Sequence, residues 1–149
     1  IDDTKKLHST YVFVNVEKSD SDQAYLQIRK DSEGRNKLKA NESASEISYN
    51  TSIIGNEIQL DSYFLSDYKN WLKDEDVYVT LYIPNGVTVY FDSSTKSYLN
   101  RVANTTDTYR REMSKQYFVM TDEGLHSQEL QAIEDKKKLE EETLEDDNE

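Results

Sequence analysis

Along most of the chain, apolar and polar residues alternate with the two-residue period of strands that bury one face. The clearest stretch is residues 76–92, DVYVTLYIPNGVTVYFD. Val77, Val79, Leu81 and Ile83 fall on one face and Tyr78, Thr80 and Tyr82 on the other, which predicts a half-buried strand. Val87, Val89 and Phe91 repeat the pattern beyond Pro84, Asn85 and Gly86, so both arms keep one parity across the turn. A two-residue Asn-Gly hairpin would pair Ile83 with Thr88, apolar beside polar, and is set aside. Two connections fit. A three-residue turn pairs Ile83 with Val87, Leu81 with Val89 and Val79 with Phe91, with Pro84 preset for the first turn position and Gly86 free to take positive φ. An arc turns the corner so that the two strands stack through side chains, as in the coils of a solenoid.

The same reading extends along the chain. In residues 10–16, Val12, Val14 and Val16 share one face while Tyr11 and Phe13 lie on the other, so this strand is apolar on both sides at its start and expects cover on both. Ala24, Leu26 and Ile28 alternate with Tyr25, Gln27 and Arg29 in a second strand, and residues 35–40 are its candidate partner. Ile47, Tyr49, Ile53, Ile58 and Leu60 mark further short strands. Turn signals recur about every ten residues, the spacing of sandwiches, barrels or solenoids. In residues 63–74, Leu65, Tyr68, Trp71 and Leu72 have a helical spacing that would lay an apolar stripe on the sheet, or fill a buried loop, and Trp71 reads as a core or edge-covering residue. Residues 96–102 predict one more strand around Tyr98 and Leu99, residues 104–116 a long loop, and residues 117–120 a strand followed by a turn and Leu125 as an anchor. From Ser127 onward the residues are helix formers without Gly or Pro, and Leu130, Ile133 and Leu144 are too few for a heptad seam. The expected division is a β-rich domain over residues 1–127 and an acidic helical or disordered tail over 128–149.

Net charge of −12 argues against nucleic acid or an anionic membrane surface as direct partners, since both need a basic patch. No apolar run approaches a membrane span and no signal peptide opens the chain, so any membrane contact is expected only through segments outside these residues, as in a domain cut from a longer protein. The absence of cysteine excludes disulfides and thiolate metal sites. His8 and His126 stand alone, and no phosphate loop, dinucleotide fingerprint or nucleophile elbow occurs. Asp20 and Asp22 lack the glycine and distal glutamate of a calcium loop and read as a solvated turn. Asp74 and Asp76 could serve a glycosidase, but among 30 acidic residues such a pair carries no information. The sequons at Asn41, Asn50 and Asn104 are expected by chance in an Asn- and Ser-rich chain. The expectation is a chain with no catalytic residue, no cofactor and no metal. Eleven tyrosines against four phenylalanines and one tryptophan suit half-wet surfaces, either as sheet-face residues or as a binding platform.

Two segments resemble a known family. VTLYIPNGVTVYFD within residues 76–98 and YFVMTDEGLHS over 117–127 resemble the C-terminal region of large phage shock protein C (PspC) domain proteins of anaerobic Gram-negative bacteria. Tyr82, Pro84 and Gly86, then Phe118, Met120, Thr121, Gly124 and Leu125, occupy the motif positions, and His126 departs from relatives that continue towards a cysteine. The motifs are structural and inform fold before function. The resemblance implies an all-β toastrack domain, a right-handed, single-stranded β-helix-like stack of short strands, and favours the arc at Pro84, Asn85 and Gly86. It further implies a protein with PspC-type membrane segments that carry the domain outside the cytoplasmic membrane, linked to envelope stress, with no catalytic set to transfer. The function expected is therefore a non-enzymatic interaction or sensory domain on the periplasmic face of the cell envelope. It would dock a protein partner or a second copy through an open end of the stack, with Tyr11 and Phe13 as the candidate face. The alternative is a secreted adhesin-like or glycan-binding module using exposed tyrosines, and a hydrolase ranks third.

Overall fold

A computed structural model describes residues 6–147, so expectations for residues 1–5 and 148–149 lie outside the described residues. In chain order the elements are β1 (Lys6–Ser9), β2 (Val12–Lys18), β3 (Tyr25–Asp31), α1 (Lys37–Ser45), β4 (Thr51–Ile54), β5 (Glu57–Leu60), β6 (Phe64–Asp67), β7 (Asp76–Ile83), β8 (Thr88–Tyr90), β9 (Leu99–Val102), β10 (Tyr117–Thr121), β11 (Gly124–His126) and α2 (Gln128–Asp146). Among the described residues the strands form four small sheets, ordered β1-β6, β4-β5, β3-β7-β2-β9 and β11-β10-β8. The chain divides into two units: residues 1–15 with 26–80, and residues 16–25 with 81–149.

In the first unit the predicted alternation holds on β2 and β7, where Val12, Val14, Val77 and Val79 are buried. Phe64, Ile47 and Tyr49 add to this core. β1 pairs antiparallel with β6, and Ser48 exchanges two backbone hydrogen bonds with Leu65 at 2.7 and 2.9 Å. β4 and β5 make an antiparallel hairpin that opposes Ile53 to Ile58.

Two expectations are corrected here. Residues 35–40 do not form a strand, because α1 begins at Lys37. Asn36 caps it, its side-chain oxygen accepting from the Lys39 amide at 2.9 Å. No β-branched residue interrupts Lys37–Ser45, and lysine, leucine, alanine and glutamate all favour helix. Residues 63–74 are not one helical stripe either. Phe64 and Ser66 take buried positions with the period of a strand, and a 3₁₀ turn, Tyr68–Asn70, follows with Asp67 as its cap. Trp71 and Leu72 lie beyond that turn and are 60% and 76% exposed, so Trp71 is not a core residue.

In the second unit Val16, Ile83, Phe91, Leu99, Met113, Phe118, Met120 and Leu125 are buried. β10 is the centre of its sheet, with Phe118 opposite Val89 and Met120 opposite Leu125. β8 therefore pairs with β10, and the hairpin that would join Ile83 to Val87 and Leu81 to Val89 does not form. The connection after β7 is an arc. Its backbone passes to β10 directly, as the Gly86 amide donates to the Met120 carbonyl at 2.9 Å and the Met120 amide to the Val87 carbonyl at 3.0 Å. The predicted strand around Tyr98 is shorter than expected, since β9 starts at Leu99. The tail is helical, α2 starting at the cap residue Ser127.

The architecture is mostly strand with a C-terminal helix, but it differs from one continuous single-stranded coil. The β1–β6, β4–β5, β8–β10 and β10–β11 pairings are antiparallel, whereas the coils of a β-helix pair in parallel. Among the isolated bridges, Asn104 with Leu125 is parallel.

Candidate functional site

In the first unit, the residues between the buried valines of β2 and β7 must point the other way, because successive side chains alternate across a strand. Phe13 and Tyr78 occupy such positions and stack with ring centroids 5.1 Å apart at 22°. From β3, the Arg29 guanidinium lies 4.4 Å from the Tyr78 ring centroid, a cation over the electron-rich face of the ring. Arg29 also pairs with Asp31 at 3.1 Å. Tyr11 precedes β2 and is 64% exposed. Its carbonyl accepts from the Val77 amide at 3.0 Å and its own amide donates to Ser9 Oγ at 3.3 Å, which fixes the backbone and leaves the ring in water.

The result is a half-wet face with a cation over one of two stacked rings. Asp76, at the start of β7, is held above the ordinary carboxylate range, first by burial and then by the charges of Asp31 and Asp74. Such a face can take an apolar or aromatic surface and offer it guanidinium donors. Phe13 lies on β2, which has β7 and β9 as its neighbours in the sheet, while Tyr11 stands just before the strand. What Phe13 belongs to is a sheet face. Alternation alone put Arg29 and Tyr78 on the polar side of their strands; that they meet each other and Phe13 depends on the order β3-β7-β2, which no local pattern encodes.

In the second unit, Pro84, Asn85 and Gly86 are tied down rather than offered to a ligand. Pro84 is buried while Asn85 and Gly86 are exposed, and Gly86 has φ of +83°. Asn85 Nδ2 and Lys18 Nζ donate to the same oxygen of Asp122, at 2.7 and 2.6 Å. The Lys18 hydrogen bond, then that of Asn85, then the Lys18 charge hold the Asp122 carboxyl below its ordinary range. Tyr25 and Tyr82 stack at 4.5 Å and 15°. Burial, followed by the charge of Glu17, raises the Tyr82 phenol.

His8 stacks on Tyr63 at 4.4 Å, while His126 Nδ1 shares a 2.7 Å hydrogen bond with Thr105 Oγ1. Glu75 is buried and accepts from the hydroxyls of Ser32 and Ser66, which satisfies both of its oxygens. Among the described residues no group of three or more His, Cys, Asp or Glu could hold a metal ion. Among them, too, no helix is long and apolar enough to cross a membrane.

The chain matches the model of a family described as "ToastRack found in some PspC" over residues 1–132. No curated protein and no solved structure matches the chain.

Proposed function

We propose, because the chain belongs to the ToastRack family found in some PspC, that it is a non-enzymatic interaction or sensory domain of a cell-envelope stress protein. In this reading PspC-type membrane segments carry the domain outside the cytoplasmic membrane, on the periplasmic face, and it docks a protein partner or a second copy. The observation that carries the reading is the half-wet face of Phe13, Tyr78 and Arg29, with exposed Tyr11 beside it. Aromatic rings with an arginine are the composition of interface anchors, the rings supplying large rigid contact area and the arginine several directed hydrogen-bond donors.

The test replaces Tyr11 and Phe13 with lysine and measures mass by light scattering, alongside capture of envelope proteins by the wild-type and substituted domains. The reading expects wild type to self-associate or to retain a defined partner, and the double variant to lose that association while keeping its melting temperature to within a few degrees. A wild type that stays monomeric at high concentration and retains nothing that the variant loses overturns it. The alternative glycan-binding reading draws its support from exposed Trp71; loss of glycan-array signal in Trp71→Ala, with association intact, would favour it.

A further inference from the structure

α1 and the turn after β6 border a half-open cavity of about 310 Å³, at the lower end of ligand-site volumes. Its charge runs against that of the chain. Four cations, Arg35, Lys39, Lys69 and Lys73, line it against two carboxylates, Glu42 and Glu46, in a protein of net charge −12. Both carboxylates are already matched, Glu42 by Lys39 at 3.2 Å and Glu46 by Lys69 at 3.0 Å. Asn70 Nδ2 adds a second donor to Glu46 at 3.4 Å. Arg35 and Lys73 are left over. Lys73 gives one of its hydrogens to buried Ser43 Oγ at 2.7 Å and keeps two more. Arg35 has no hydrogen bond or ion pair among the described residues.

The backbone that carries Arg35 is tightly constrained. A Cβ on Gly34 would stand 2.3 Å from the Ala40 nitrogen, so the segment carrying Arg35 lies close against α1 in a way only glycine allows. Asn36, next in sequence, is committed to capping the helix. The Arg35 backbone is thus set between a glycine contact and a cap.

We propose that this cavity binds a phosphomonoester group. Such a group carries about −1.5 to −2 charges near neutral pH, which matches the two unmatched cations. The Arg35 guanidinium can grip two phosphate oxygens at once, Lys73 supplies a point charge, and the Ser43 hydroxyl can donate a further hydrogen bond. Trp71 and Leu72, 60% and 76% exposed, stand between Lys69 and Lys73 in the chain, so the Trp71 indole is a nearby reporter of what approaches this segment. The site goes beyond the protein-docking face, involves none of its residues, and stands or falls separately from it.

The test titrates inorganic phosphate into the ¹⁵N-labelled chain near neutral pH, with chloride and acetate at matched ionic strength. Phosphate alone is expected to give saturable shifts at the Gly34, Arg35 and Ser43 amides. Arg35→Gln, an exposed change that leaves the core intact, and the Arg35→Gln/Lys73→Gln double should weaken binding, the double by about tenfold or more. Lys137→Gln/Lys138→Gln on α2 removes the same charge elsewhere and should change nothing. A parallel arm adds phosphatidylcholine vesicles with or without phosphatidic acid and reads the emission of Trp71, the chain's one tryptophan. A blue shift only with phosphatidic acid assigns the phosphate to a lipid headgroup; saturable binding of inorganic phosphate without that shift assigns it to a soluble ligand. Equal responses to phosphate, acetate and chloride with no vesicle effect overturn the proposal. So does equal loss in the α2 control, or a double variant that binds like wild type.

Discussion

Lys18 and Asp122 stand 104 residues apart in sequence and meet at 2.6 Å, on the same carboxylate oxygen that Asn85 reaches from the arc. The pair fastens the end of β2 to the turn after β10. Because Asp122 titrates below its ordinary value in the folded state, its contribution to stability is fully present above the unfolded carboxylate pKa of about 3.9 and is lost as pH falls through the folded value. Lys18→Met should raise the Asp122 pKa and remove this part of the acid dependence. A carboxyl-carbon NMR titration of Asp122 in both proteins checks the shift, and identical titration curves would refute the coupling.

Asp76 works in the opposite sense. Burial and the neighbouring charges of Asp31 and Asp74 raise its folded pKa, so the ionised carboxylate opposes folding above that value and costs nothing below the unfolded pKa. Asp76→Asn should therefore raise the melting temperature near neutral pH, with the gain shrinking to zero as the medium is acidified below about pH 3.9. Melting curves of both proteins across that range decide it; a loss of stability at neutral pH would mean that the carboxylate makes a favourable contact.

Gly86 and Gly124 separate two reasons for glycine. Gly86 has φ of +83° with nothing within 4 Å of a built Cβ, so substitution meets backbone strain alone. Gly124 has φ of +110°, and a Cβ there would stand 2.6 Å from the Ala103 carbonyl oxygen. Gly86→Ala should cost about 1 kcal/mol and Gly86→Val somewhat more, while Gly124→Ala should cost about 3 kcal/mol or more, as strain and overpacking combine. Urea denaturation of the three variants gives the order, and equal costs for the two alanine substitutions would contradict it.

What the sequence disclosed follows from how locally each feature is encoded. The buried faces of β2 and β7, and Leu125 as an anchor, are written in a two-residue alternation that needs no knowledge of neighbours. One parity across Pro84, Asn85 and Gly86 leaves two forms of the connection; the family resemblance favours the arc, and the local pattern alone cannot choose it without the contact by which β10 receives the chain through Gly86 and Met120. α1 escaped notice because it has no apolar stripe, with Ser43 as its buried residue, so periodicity had nothing to detect and only the Asn36 cap and helix propensity remained. The size of Trp71 suggests a core or edge-covering place, whereas the strand ends at Asp67 and leaves the ring outside the core. The meeting of Phe13, Tyr78 and Arg29 rests on strand order. So does the convergence of Arg35 and Lys73, which come from segments that local pattern does not relate.

α2 should be dispensable beyond its first turns. Ser127 starts it by accepting from the Leu130 amide at 3.3 Å, and Leu130, Gln131 and Glu134 are half-buried, but every described residue after Glu134 is exposed. Residues 134–149 carry nine acidic and three basic groups, with Glu145 and Asp146 in the last turn, where the helix dipole disfavours negative charge. Ile133 and Leu139, 50% and 64% exposed, bury too little area to offset the entropy of ordering the segment. A helix of 19 residues is only a little past the length at which isolated helices become marginal in water, about 12–15 residues. Deleting residues 135–149 should thus reduce the helical circular dichroism signal while leaving the melting temperature within about 2 °C, since 1 kcal/mol corresponds to a few degrees in a domain of this size. Lowering the pH in the chain of residues 1–149 should raise the helicity of the tail, because protonating the acidic cluster relieves repulsion and the dipole clash together. A truncation that loses several degrees would show that α2 packs on something its exposure does not reveal, and a tail whose helicity falls on acidification would show that ion pairs with Lys136, Lys137 and Lys138 outweigh the repulsion.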